Sequence, residues 1–128
     1  MRILVVSDVE TGKYYDNYTP GSLDEFGLII SCGDLKKEYL EFLATFAKCP
    51  VLYVFGNHDD CFEDDPPAGC ICIDGLVYEY QGLRIMGLGG SMRYRQDVKH
   101  MYNEADMQHR IWKLGLKLYM KKLLQVII

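Results

Sequence analysis

No apolar run in this sequence approaches the roughly 18–20 residues that a membrane-spanning helix needs, so a spanning segment is not expected. Internal repeats and low-complexity tracts are also missing. Positive charge is in deficit: 14 Lys and Arg stand against 18 Asp and Glu, a formal net charge of −4. General attraction to nucleic-acid backbones needs a basic face, and this balance argues against it. The start, Met1–Asp8, has too short an apolar run for a signal peptide, and the acid Asp8 closes it; it reads as a first strand. Five cysteines are an odd number and match no strong zinc spacing. With no export signal they read as reduced thiols, mostly small buried hydrophobes, in a cytoplasmic protein. Histidine is scarce as well: His58, His100 and His109 are the only three.

What is present suits one globular domain over residues 1–128, with 49% hydrophobic and 25% charged residues. Arg2–Ser7, Gly27–Cys32 and Val51–Phe55 are short apolar runs that end in polar loops, the pattern of strands buried on both faces. Between the second and third, Lys36–Lys48 places Tyr39, Leu40, Leu43, Phe46 and Ala47 at helical spacing, and Pro50 enforces the stop. Cys70–Asp74, Leu76–Tyr80 and Leu83–Leu88 read as an antiparallel meander with a tight turn at Gln81-Gly82. Asn103 is a favoured N-cap for a last helix carrying Met107, Ile111, Leu114 and Leu118 on one face. Leu123–Ile128, apolar but for Gln125, reads as a further buried strand. The fold class is α/β with parallel early strands, and in such sheets the active site lies in loops at the strands' C-terminal ends.

Those loops carry the chemistry. Ser7-Asp8-Val9-Glu10 follows the first strand, Gly33-Asp34 the second and Gly56-Asn57-His58-Asp59 the third. Each alone has a plain explanation as turn or capping residues. Together they bring four carboxylates, one amide and one imidazole to one rim. Unpaired carboxylates would repel there, and one or two divalent cations would resolve the conflict. Glycines before Asp34 and Asn57 permit sharp turns and close approach of a substrate.

The order Asp-x-ligand, Gly-Asp, Gly-Asn-His-Asp resembles the calcineurin-like metallophosphoesterase family, over residues 1–95 and more loosely the helix that follows. Gly87-Leu88-Gly89-Gly90-Ser91 resembles small bacterial members. The resemblance implies a β-sandwich flanked by helices in α/β/β/α layers and hydrolysis of a phosphomonoester or phosphodiester by metal-activated water. By position, Asp8 and Glu10 would ligate a first metal, Asp34 would bridge two, and Asn57 would ligate the second. Asn57 and His58 would touch the phosphate, His58 would protonate the leaving oxygen, and Asp59 would orient the His58 ring. Mn²⁺ is the first expectation, with Mg²⁺, Fe or Zn²⁺ behind it. Arg93 and Arg95 are further phosphate-binding candidates, and Tyr14, Tyr15 and Tyr18 read as loop packing more than as a substrate lid.

Two departures qualify the implied activity. Glu10 stands where the family has His, which makes the site harder and more anionic. The family's later strand-end His and its Gly-His-x-His segment are missing; His100 and His109 lack that context. The sequence therefore reads as a truncated copy holding one metal or none, with low turnover. The alternative is a non-catalytic binding or assembly module. Self-association through an exposed sheet edge is expected with either reading.

Overall fold

The computed structural model describes residues 1–127 and is of mixed α/β class, with two helices and three small sheets. Strands β1 (Ile3–Val6), β2 (Leu28–Ser31), β3 (Val51–Tyr53) and β4 (Cys70–Cys72) form one parallel sheet in the order β1-β2-β3-β4. Helix α1 (Lys37–Phe46) crosses from β2 to β3. Strands β5 (Val77–Tyr80) and β6 (Leu83–Met86) make an antiparallel hairpin, and β7 (Ser91–Met92) pairs in parallel with β8 (Met101–Tyr102) before α2 (Glu104–Ile127).

Side-chain alternation in the central strands sets the layers. Ile29, Val51 and Tyr53 point to one face, where they meet Tyr39, Leu40 and Leu43 of α1 in a fully buried cluster. Leu28 and Leu52 point to the other face and join Ile73, with Tyr78, Tyr80 and Ile85 of the hairpin packed against them. Helix α2 in turn lies against β5 and β8.

Several expected elements take a different form. β1 is an edge strand, not one buried on both faces: Val6 is buried, but Val5 is 60% exposed and Ile3 is exposed, because only β2 runs beside it. Cys70–Cys72 extends the parallel sheet beside β3 instead of opening the meander, so the antiparallel part is reduced to the β5–β6 hairpin. Its turn is the expected one, with Gln81 and Gly82 both at positive φ, the conformation that tight hairpins demand. Leu123–Ile127 continues α2 and is not a strand; Ile128 lies outside the described residues. The amphipathic stretch of α2 carries on past Lys122 with no glycine or proline to stop it. Asn103 does cap α2, its side-chain oxygen accepting from the Asp106 N–H at 2.8 Å. Among the described residues no helix is long and apolar enough to cross a membrane.

Candidate functional site

Three parallel strands end on the same side of the sheet, and their loops are bound to one another by backbone contacts. The Asp8 N–H donates to the Gly33 carbonyl at 3.3 Å, and Cys32 N–H donates to the Val6 carbonyl at 2.9 Å. Gly33 lies at φ 98°, and a Cβ there would stand 2.6 Å from the Gly56 nitrogen. A Cβ on Gly56 would collide with the Asp34 carboxylate and backbone. Both glycines are therefore required by the close approach of the second and third loops.

Asp8 (φ 60°) and Asp34 (φ 59°) both occupy the left-handed region. Aspartate tolerates this conformation better than most residues, yet it remains uncommon outside glycine and often accompanies sites. Asp34 Oδ1 accepts from the His58 N–H at 2.9 Å, which links the second loop to the third. Asp59 completes the knot. Its carboxylate is 3% exposed, and Oδ2 accepts from the Gly56 N–H at 2.8 Å and the Asp34 N–H at 2.9 Å. Burial raises the Asp59 carboxyl pKa, and Asp34 adds to the rise; the two backbone bonds and His100 work against it.

The other candidates are placed as follows. Asp8, Glu10 and Asp34 line one open pocket of about 330 Å³ with Lys36. Asp34, His58 and Asp59 line a neighbouring pocket of about 420 Å³, together with Lys37 and Cys61. Asp34 thus stands between the two. Asn57 Nδ2 is 3.1 Å from His58 Nε2 and donates to the Tyr94 hydroxyl at 3.1 Å. Asp59 is engaged with backbone amides, and among the described residues it has no hydrogen bond to the His58 ring. Arg93 lines neither rim pocket: its guanidinium donates to the Met101 carbonyl at 3.2 and 3.3 Å and lies 3.7 Å from Asp106. Arg95 lies over the Tyr94 ring. Tyr15 and Tyr18 pack edge-on against Phe42, and Tyr14 against Phe26.

The carboxylates do not converge on a common point. Among the described residues, no three or more His, Cys, Asp or Glu side chains stand together as a metal-holding group. Asp8 accepts from the Ser7 hydroxyl, Asp34 Oδ1 is bonded to His58, and Glu10 Oε1 is 3.5 Å from the Lys36 ammonium. His109 stacks on Trp112, and His100 is buried at 7% exposure, stacked 4.3 Å from Phe55 and 3.4 Å from Glu63. Neither lies among the residues lining the two rim pockets.

Sequence reasoning missed Lys36 and Tyr94. Lys36 stands two residues beyond Asp34 and 3.5 Å from the Glu10 carboxylate, and that spacing was a usable signal. Tyr94 had no comparable local signal: it reaches Asn57 only because Gly90 N–H bonds to the Phe55 carbonyl at 2.7 Å and brings the two loops together. Comparison with family models, curated proteins and solved structures finds no match for this chain.

Proposed function

We propose that this chain is of the calcineurin-like metallophosphoesterase type with an incomplete site, with a helix-flanked β-sandwich in α/β/β/α layers as its fold and phosphoric ester hydrolysis, at low turnover, as its reaction class. A phosphate monoester or diester is the substrate class. The observation that carries the proposal is the joining of Asp8, Asp34 and Asn57-His58 at three adjacent strand ends, by the His58–Asp34 bond of 2.9 Å and the Asp8–Gly33 bond of 3.3 Å. The left-handed aspartates at two of those ends support it.

The family type implies two divalent metals. Oxygen-rich donors have the right chemistry for Mn²⁺ or Mg²⁺, but their arrangement does not fit a metal pair. Each prospective carboxylate ligand already has a hydrogen-bond or ion-pair partner, and among the described residues no three His, Cys, Asp or Glu side chains stand together. The residues that remain suited to a phosphate ester are Asn57 and His58. The Asn57 amide nitrogen is shared between His58 Nε2 and the Tyr94 hydroxyl, each at 3.1 Å, so a phosphoryl oxygen would exchange for one of those partners. The exposed His58 imidazole, once protonated, would pass a proton to a leaving oxygen.

A specific observation favours the second reading, a non-catalytic binding or assembly module: the Lys36 ammonium neutralises Glu10 where the family type would use a cation. The exposed edge of β1 supports self-association under that reading. Metal analysis and phosphomonoester and phosphodiester assays on one preparation separate the readings. Slow Mn²⁺-dependent hydrolysis, above background and lost in Asp34→Ala, establishes the enzyme. Ester binding without turnover, unchanged by Mn²⁺, establishes the module. Glu10→His, which restores the usual family ligand, is expected to raise metal affinity.

A further inference from the structure

Charge is segregated along this chain. Residues 107–128 hold Arg110, Lys113, Lys117, Lys121 and Lys122 with no Asp or Glu, while the rest has nine Lys and Arg against eighteen Asp and Glu. Most of that basic stretch is α2, and its two faces differ. On one face Leu114 is buried, Arg110 pairs with Asp74, and Lys117 and Lys121 donate to the Gly75 and Val77 carbonyls, each at 2.7 Å. On the opposite face Trp112, Leu116, Tyr119 and Leu123 are all exposed, Trp112 by 65%.

Their spacing is four, three and four residues, the a/d seam of a two-helix coiled coil. Lys113 and Lys122 flank the seam on its two sides, and Gly115 beside it adds no side chain to hinder an approaching helix. Leu116 and Met120 also form one wall of an apolar groove of about 410 Å³, with Leu76 and Val77 as the other.

We infer that the outer face of α2 is a docking site for an amphipathic helix of a partner protein whose flanking positions are acidic. Apolar side chains fill the seam and its groove, and carboxylates pair with Lys113 and Lys122. Charge disfavours the other occupants. A second copy of α2, which has no Asp or Glu beyond Asp106, offers no carboxylate to Lys113 or Lys122 and brings a second acid-free basic strip against the first. An anionic bilayer would meet the acidic remainder of the molecule, and α2 is held to the hairpin along its inner face, which keeps it from sinking into lipid. A separate helix touches only the basic strip.

The test uses the whole chain and its single tryptophan, Trp112. The probes are a synthetic helix with Leu at seam positions and Glu at flanking positions, the same helix with Lys for Glu, and vesicles with and without anionic lipid. The expected result is a saturable blue shift of Trp112 emission with the Glu helix, at least tenfold tighter than with the Lys helix. Lys113→Glu with Lys122→Glu reverses that preference, and Leu116→Glu abolishes the shift while the circular dichroism spectrum is unchanged. Equal affinity for the two helices overturns the inference. So does a shift produced by anionic vesicles but not by the Glu helix, or one that appears on concentrating the chain alone.

Discussion

Between α1 and the parallel sheet the contact is apolar: Tyr39, Leu40 and Leu43 are buried against Ile29, Val51 and Tyr53. Between α2 and the hairpin, its flanking loops and β8 it is mainly polar. Arg110 Nη2 donates to both Asp74 carboxylate oxygens at 2.8 Å, Nη1 donates to the Gly89 carbonyl at 2.6 Å and the guanidinium lies 4.0 Å from the Tyr102 ring centroid, while Leu114 is the helix's buried apolar side chain among the described residues. The first arrangement fixes the strand ends from beneath through a water-excluded cluster, and with them the position of the open rim above. The second holds its helix through cations on carbonyls and one carboxylate, which leaves the opposite apolar stripe uncovered. The rim therefore belongs to the tightly packed half of the molecule, and the interaction surface to the loosely packed half.

Truncation in each half tests this contrast most strongly. Leu43→Ala removes a fully buried side chain beneath the sheet and is expected to cost about 2–5 kcal/mol in urea unfolding, whereas Leu114→Ala costs about half as much because its neighbours are more exposed. Equal losses would remove the contrast. Arg110→Met takes away the partner of a part-buried carboxylate and is expected to cost about 2–4 kcal/mol. Selective proteolysis of α2 with the sheet intact would show that the two halves open separately.

A smaller effect separates packing from charge at the rim. The Asp59 carboxyl pKa is raised by burial, so the folded state binds that proton more tightly than the unfolded chain. Its contribution is greatest below the unfolded value of about 3.9 and falls as pH rises toward the folded value. Stability relative to Asp59→Asn is expected to decline across that window in unfolding curves; a relative rise would mean that the Gly56 and Asp34 amides outweigh burial. The least change is expected for Lys36→Met, under about 1 kcal/mol, since the Lys36 side chain is largely exposed.

Much of the tightly packed half was legible in the sequence because its signals are local. Apolar runs ended in Gly-Asp and Gly-Asn-His-Asp, and Tyr39, Leu40 and Leu43 marked the buried face of α1 at helical spacing. The loosely packed half was less legible because its contacts are long-range. The Arg110–Asp74 pair joins residues 36 positions apart, and pairing β4 with β3 instead of β5 depends on which sheet edge is open. The rim was legible as a residue list but not as an arrangement. Nothing local shows that Asp59 caps backbone amides, or that Arg93 donates to the Met101 carbonyl and lines neither rim pocket.

The most direct test of the account is Mn²⁺ stoichiometry and phosphodiester hydrolysis measured together on the purified chain and on Asp34→Ala. Because the carboxylates do not converge, the account predicts at most one weakly held Mn²⁺ and hydrolysis near background. Two tightly held ions with rapid hydrolysis, both lost in Asp34→Ala, would contradict it.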